Sequence, residues 1–360
     1  MIPPYTPPDF SAPLFQNAPV ARTQPAPADG VAPDHFHATT NHPEYVQVEK
    51  GRWALIEENR MDTVIVIQDG KPLSVEGRNL KKGDCVVVGR GEEGEFGVYI
   101  HTTGFEAPED RTKEKFAFMT RGSRESPFSH SYDHLYELLK HDRDNGFIAW
   151  VLGPAAAFDK DSRNAMASLI EKGYCHALLA GNALATHDLE AALFGTGLGQ
   201  DIYTRQVKPM GHYHHLDLLN KVRGFGSIKK AIDQLELDSG IICALEKRDI
   251  PYVLAGSIRD DGPLPEVIQR SSDAQDNMRT MARKTTCVIT LATQLHTIAF
   301  GNMVPSYRVQ KDGSVRPVYF YVVDMSEFSA DKLANRGSAQ SSAILTNVQD
   351  FIVNLHKNLT

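Results

Sequence analysis

The spacing of hydrophobic positions changes near residue 130, and that change divides the chain into two kinds of structure. From about 44 to 100 apolar residues recur at close to every second position, in YVQVEKGRWALIEE, MDTVIVIQDG, LKKGDCVVVG and GEFGVYIHTTG. Alternation of this kind sets one face of an extended strand on a core, and the Gly and Asp residues between the runs supply turns. The pattern predicts a small, mostly β domain over 31–125. Upstream, residues 1–30 are rich in Pro and Ala and poor in large apolar side chains, a composition that buries too little surface to offset the entropy of ordering. They are expected to form an arm, free to lie across a neighbouring subunit. The charged stretch APEDRTKEK at 107–115 is expected to be an exposed connection.

Beyond 130 the period becomes helical. SYDHLYELLKHDRDNG offers Ser131 as an N-cap, Leu135, Leu138 and Leu139 on one face, and Gly146 as a stop. Strand and helix patterns then alternate: FIAWVLG at 147–153, DSRNAMASLIEKG at 161–173, CHALLAGN at 175–182, HDLEAALFG at 187–195, and later SGIICALEKRD, PYVLAG, TTCVITLAT and VYFYVVD, which ends at Asp324. Continuous apolar strands between amphipathic helices imply a parallel sheet covered on both faces. The fold class is therefore α/β, the small β domain being followed over 126–360 by a doubly wound, Rossmann-like domain. No internal repeat of fixed period is present.

Composition narrows the partners. At 360 residues the chain is long enough for two cores. With 38 Lys and Arg against 45 Asp and Glu the net charge is −7, which disfavours nucleic acid and points to small-molecule or protein partners. The longest nearly apolar stretch, FIAWVLGPAAAF, is far short of a membrane span and is broken by Gly153 and Pro154. No basic segment with an apolar core opens the chain, so no secretion is expected. Cys85, Cys175, Cys243 and Cys287 stand far apart without a CxxC spacing, which fits reduced thiols in a cytoplasmic protein better than a zinc site.

The candidate chemistry lies at strand ends. In AGSIRDDGPLP, at 255–265, an apolar run feeds into Gly256, Ser257, Asp260 and Asp261. In an open α/β sheet the loops at the carboxyl ends of strands form the ligand crevice. An acidic turn closed by Gly262 and Pro263 is the plainer alternative. Gly181 with Asn182, Thr293 with Leu295 and His296, and Asp324 stand at comparable places. Asp324 suits a ribose hydroxyl or the cap of the following segment equally. His296 is read as a structural histidine or a catalyst. GTGLGQD at 195–201 follows a helix rather than a strand, so it ends that helix and does not cradle phosphate. In GHYHHLD the spacing of His212, His214 and His215 does not put three imidazoles on one helical face, so no metal is expected; His212 is kept as a hydrogen-bonding or acid/base candidate. No Walker loop and no GxSxG elbow is present.

Taken together, AGNALATHDLEAALFGTGLG, GHYHHLD, AGSIRDDGPLP, LHTIAFGNMVPS and NRGSAQ resemble the archaeal-type ornithine cyclodeaminase family. DGVAPDHFHATTNHPEYVQVEKGRWALIEENRMD, at 29–62, is similar to the domain named after the lysine-oxoglutarate reductase/saccharopine dehydrogenase bifunctional enzyme, and the resemblance spans about 29–353. It implies an NAD-binding domain resembling deoxyhypusine synthase. The implied cofactor contacts are Asn182, Ala183 and Asp261, then Thr293, Leu295 and His296, then Asp324 and Asn347, beside Gly256 and Ser257. The implied reaction converts L-ornithine to L-proline and ammonia: hydride leaves the α-carbon to give an imine, the side-chain amine displaces ammonia, and hydride returns to the cyclic imine. Asp260, Asp261, His212 and His296 are the candidates for its proton and amine chemistry. A homo-oligomer acting on a small cationic amino acid is expected.

The chain also departs from the family pattern. GPAAAFDKDSRN puts Phe158 and Asp159 where a His-Thr-Gly segment is usual, Gly197 stands where serine is common, and Tyr213 interrupts the histidine motif. Loops of this kind line the crevice, so a close cationic analogue of ornithine is an alternative substrate. An NADH-releasing amino-acid or imine oxidoreductase and a non-catalytic ligand sensor are the alternative functions.

Overall fold

The computed structural model describes residues 2–105, 129–260, 262–326, 329 and 340–360. The connection expected at 107–115 and the carboxylate Asp261 lie outside them.

A short helix, α1 (Pro13–Asn17), precedes seven strands: β1 (Arg22–Pro25), β2 (Glu44–Glu49), β3 (Arg52–Leu55), β4 (Val64–Gln68), β5 (Lys71–Val75), β6 (Cys85–Val88) and β7 (Val98–Ile100). They form two antiparallel sheets ordered β1-β6-β4-β5 and β3-β2-β7. Successive residues of β4 serve opposite sides: Ile65 joins Val46, Ile56, Val87 and Val98, while Val64 and Val66 join Ala26, Leu80 and Val86. The region expected to be an arm packs on its own chain. Residues 22–25 supply β1, and Phe10 and Phe15 lie against Tyr45, Trp53 and Tyr99 with centroids 4.8–5.9 Å apart. A few aromatics carry the burial that average composition concealed, and proline lowers the entropy lost on ordering.

The second region follows the predicted alternation. After α2 (Ser129–Asn145), which starts two residues before Ser131, come β8 (Ile148–Leu152), α3 (Lys160–Glu171), β9 (Ala177–Gly181), α4 (Asn182–Phe194) and a small hairpin of β10 (Thr196–Gly197) and β11 (Gln200–Asp201). Then follow α5 (His214–Phe225), α6 (Ile228–Gln234), α7 (Ile241–Lys247), β12 (Tyr252–Ala255), α8 (Ser271–Ala282), β13 (Cys287–Leu291) and α9 (Gln294–Met303). The hairpin β14 (Tyr307–Val309) and β15 (Val315–Pro317), β16 (Tyr319–Asp324), β17 (Gln340–Leu345) and α10 (Val348–Leu359) complete the described chain. Six parallel strands are ordered β12-β9-β8-β13-β16-β17. Counted along the domain this is 3-2-1-4-5-6, the order of dinucleotide-binding sheets, and its topological switch point falls between β8 and β13. Trp150 and Leu152 point into one core layer, Ala149 and Val151 into the other, which is why these strands read as unbroken apolar runs.

Helix α4 departs from the usual wound pattern. It starts directly at the end of β9, five residues before the helix read from HDLEAALFG, and most of its residues are buried. Its apolar residues Leu184, Ala185 and Leu189 join the core beside Leu178 and Ala180 of β9, and its Asp188 reaches α3 and the amino end of α7. The Asp188 carboxylate accepts hydrogen bonds from Arg163 Nε on α3 at 2.7 Å and from the Ile241 and Ile242 amides of α7 at 3.0 and 2.8 Å. A Cβ on Gly240 would lie 2.0 Å from Arg163 Nη2, so only glycine fits beside the pair. Removing one partner of a buried ion pair leaves the other charge unsolvated. We expect Asp188→Ala to lower unfolding free energy by about 3–5 kcal/mol in denaturant titrations; a loss below about 1 kcal/mol, the size of an exposed pair, would show that the pair does not pin α4.

Candidate active site

At the switch point the first loops after β8 and β13 press against each other. The Gly153 amide donates to the Leu291 carbonyl at 2.8 Å, and a Cβ on Gly153 would lie 2.1 Å from the Ala292 carbonyl oxygen. Ala292 itself sits at φ +48°, a left-handed conformation costing a non-glycine residue about 1–2 kcal/mol. Strain of this kind persists where the surroundings over-determine the backbone, and it concentrates at ligand sites.

Three strand ends converge beside this point. His296, in the first turn of α9, has Nδ1 3.1 Å from Thr293 Oγ1. Its ring edge lies over the end of β9, where a Cβ on Gly181 would be 3.0 Å from His296 Cε1. Burial pushes the His296 pKa below its usual value, and the negative charge of Asp260, on the loop after β12, opposes that shift. The imidazole is therefore held neutral against a nearby carboxylate. Asp260 is fixed by a turn of its own: Oδ2 accepts from the Ser257 amide at 2.8 Å, its amide donates to the Ser257 carbonyl at 3.0 Å, and Ser257 Oγ accepts from the Arg259 amide at 3.0 Å. Asn182 Oδ1 accepts from the Leu264 amide at 3.0 Å, which ties the β12 loop to the start of α4. Its Nδ2 donates to none of the described residues.

The remaining sequence candidates take other places. Gly256 does not owe its identity to a ligand: a Cβ there would lie 2.8 Å from Gln269 Cα, because the loop returns and Ile268 pairs with Ala255. Asp324 Oδ1 accepts from the Ser326 amide at 2.9 Å, so the local turn uses one of its oxygens. Asn347 caps α10, its Oδ1 accepting from the Gln349 and Asp350 amides at 2.8 and 3.4 Å. Ala183 is half-buried in the first turn of α4, and Leu295 is 73% exposed at the rim. His212 is exposed on a turn of 3₁₀ helix with its ring 4.3 Å from Tyr213, and no described contact joins it to His296 or Asp260. His214 is bound elsewhere, to Thr196 Oγ1 at 2.8 Å and stacked on Phe194. Among the described residues no group of three or more His, Cys, Asp or Glu side chains could hold a metal ion, and no helix is long and apolar enough to cross a membrane.

Sequence reading missed a polar pair on α4. Glu190 is buried and accepts four hydrogen bonds: from Thr196 Oγ1 and the Gly199 amide at 2.9 Å, and from the Leu198 amide and His187 Nδ1 at 3.1 Å. Burial raises its pKa, but these donors outweigh it and hold the carboxyl below its ordinary range. The signal was present as Asn182, Thr186, His187 and Glu190, a polar stripe at helical spacing on an otherwise apolar segment. Phe158 packs on His187 with centroids 4.9 Å apart, and a Cβ on Gly197 would lie 2.7 Å from Phe158 Cδ1. The two departures at 158 and 197 are therefore a matched pair, an aromatic ring set into space that the glycine leaves open.

The parallel order, the strained switch point and the polar groups over the rim together define a dinucleotide-binding α/β domain. Residues 134–355 match the family model described as arginine dihydrolase ArgZ-like, C-terminal, Rossmann fold, and residues 43–129 match that of the first region. The chain is 41% identical to an ornithine cyclodeaminase of Archaeoglobus fulgidus, covering 91% of this chain and 76% of that protein. It is 34% identical to the bifunctional arginine dihydrolase/ornithine cyclodeaminase ArgZ of Synechocystis, covering 94% of this chain and 46% of the relative. Among solved structures, a LOR/SDH protein of Methanococcus maripaludis S2 is similar with a TM-score of 0.84 at 37% identity, covering 95% of this chain and 98% of the other. AgrE in ternary complex with ornithine and NAD+ is similar with a TM-score of 0.60 at 31% identity, covering 96% and 46%. The chain belongs to the ornithine cyclodeaminase family.

The matched pair yields a test. Gly197→Ser is expected to cost about 1–3 kcal/mol by overpacking against Phe158, and less in a Phe158→Ala background. A double-mutant cycle measures that coupling, and strict additivity would show that the two positions do not contact.

Proposed function

We propose that this protein is an NAD-dependent ammonia lyase that converts L-ornithine to L-proline and ammonia with no net change in cofactor redox state. The observation that carries this reading is the convergence of His296, Gly181 and Asp260 from three strand ends beside the switch point of a 3-2-1-4-5-6 sheet. The AgrE complex supports it, since a homologue of the same fold is described as binding both ornithine and NAD+.

The residues fit a dinucleotide. Asn182 opens a long helix at a strand end with an amide nitrogen uncommitted among the described residues, and Gly153 and Ala292 bring two strand-end backbones together where the crevice opens. Thr293, Leu295 and His296 would line the next loop, with Gly256 and Ser257 on the one before it. Asp324 keeps one carboxylate oxygen, and Asn347 an amide nitrogen whose described partner is the Met325 sulfur at 4.0 Å, for a ribose or amide partner. When bound, NAD supplies a hydride acceptor that returns the hydride later in the same turnover. The chain has to hold a dication, take a proton from an amine and keep water from the imine. Asp260 supplies negative charge for the amine groups, with Asp261 next to it in sequence as the second carboxylate of the reading, and buried His296 supplies a neutral imidazole able to take a proton. The reading places the protein in the cytoplasm as a homo-oligomer.

The test is turnover of ornithine by purified protein with NAD: proline and ammonia in equal amounts, without accumulation of reduced cofactor. Net reduced nicotinamide absorbance would make the protein an amino-acid oxidoreductase instead, and NAD binding without consumption of any cationic amino acid would make it a sensor. Asp324→Ala is expected to weaken NAD binding by about 10-fold in calorimetry, the loss of one hydrogen bond of about 1.4 kcal/mol; unchanged affinity removes Asp324 from the site. Asp261→Asn should remain folded and lose turnover, whereas full activity would exclude that carboxylate.

A further inference from the structure

We propose that His187 is a substrate-facing proton acceptor and that Glu190 is its positioning residue. This inference rests on the ornithine reading above and assigns a group within it.

Helix α4 begins where β9 ends, at the carboxyl edge of the sheet. Ala183 and His187 stand one turn apart, so they share a helix face, and that face begins at Asn182, beside the crevice where His296 and the β12 loop meet. A ligand held at Asn182 and Ala183 therefore has His187 as its next neighbour along the helix. The two nitrogens of His187 are not equivalent. Nδ1 faces the Glu190 carboxylate at 3.1 Å, and because that carboxylate is ionised it can only accept, so Nδ1 carries the hydrogen. The lone pair then resides on Nε2. Nε2 meets no described residue and is not enclosed, while the side chain as a whole is 11% exposed.

Glu190 is built for this task. Its amide and hydroxyl donors come from 196–199, so the carboxylate cannot rotate away from the ring. Thr196 spends its hydrogen on Glu190 and so accepts from His214 Nδ1, which fixes that ring as well. Phe158 covers one side of the His187 ring. The other charged groups packed around α4, Asp188 and Arg163, neutralise each other. A carboxylate that orients an imidazole through Nδ1 and leaves Nε2 open is a recurrent arrangement for proton acceptance.

The step assigned is a proton transfer. The N–H bond of a substrate ammonium breaks, its electron pair stays on nitrogen, and the proton bonds to His187 Nε2. The amine so formed has the lone pair that imine formation at the adjacent carbon requires.

The experiment compares wild type, His187→Ala, His187→Gln and Glu190→Gln. Consumption of ornithine by wild type tests the underlying reading on its own. Given that turnover, His187→Ala is expected to lower kcat by at least about 100-fold, with NAD affinity unchanged, a lowered melting temperature from the partner lost to buried Glu190, and activity partly restored by added imidazole. Glu190→Gln is expected to lower kcat less while KM changes little. As a readout that needs no turnover, ornithine added to the wild-type NAD complex should shift the His187 ring resonance, assigned by its loss in His187→Gln. Retention of more than half of kcat in both His187 variants, or an unmoved ring resonance under saturating ornithine, overturns the proposal. Should His187→Ala fail to fold, His187→Gln and the resonance shift decide it.

Discussion

The constraint on which the functional half depends is the anchoring of α4 at the carboxyl end of β9. In an ordinary wound sheet the helix after a strand turns back along the face it covers. Here the chain passes from β9 into helix without a connecting loop, and the helix bears on the amino ends of two neighbours through Asp188. That carboxylate serves a guanidinium and two amides that would otherwise be unpartnered at a helix start, so it offsets the cost of burying Arg163 and caps α7 at once. The consequence is that the chain leaving β9 is held in fixed secondary structure from its first residue. Along that helix the polar side chains Asn182, Thr186, His187 and Glu190 recur at helical spacing.

Close approach within the protein accounts for Gly256, which sequence reading took as a ligand contact, as it does for two glycines to which that reading gave no such role. Gly153 meets the Ala292 carbonyl, Gly256 meets Gln269, and Gly240 meets Arg163. Gly181 differs, because what it meets is the His296 ring. Deleting a Cβ at a strand end thus serves first to let loops interlock. A site emerges where the interlocking group is titratable.

The strands of the second region were legible because burial on both faces leaves no polar positions to confuse the period. The turn around Asp260 was legible as a turn, and its closeness to His296 was not, since some thirty-six residues of sequence separate them. HDLEAALFG was recognised as a helix, yet its start was misplaced because no turn signal separates it from β9. The His187–Glu190 pair went unread for a related reason: its donors come from 196–199, and the glycines there suggest only a helix stop. Phe158 and Gly197 looked like independent departures, and only their contact shows that one accommodates the other. The opening thirty residues show the converse failure, where average composition hid a few well-placed aromatic rings.

The β domain is joined to this machinery through charge that costs energy to bury. Glu76 lies between Arg60 of its own domain and Arg279 of α8, the latter at 2.6 Å, and burial pushes the Arg60 pKa down while Glu76 opposes the shift. Replacing such a cluster with apolar side chains often leaves stability unchanged or raises it, so stabilisation does not explain it. Orientation does. Tyr307, at the start of the β14–β15 hairpin, donates its hydroxyl hydrogen to the Ile56 carbonyl, and the Ser306 amide donates to the Asn59 carbonyl at 2.9 Å. At the far strand of that hairpin Arg316 grips Asp142 of α2 through two hydrogen bonds of 2.9 and 3.1 Å. The β domain therefore holds α8 directly and, through the hairpin, the segment that leads from α9 into β16. These elements flank β12 and β13, the two strands whose ends carry Asp260 and His296. A sliding apolar contact would let those ends drift, whereas the Glu76–Arg279 ion pair and the hydrogen bonds through the hairpin hold them in place.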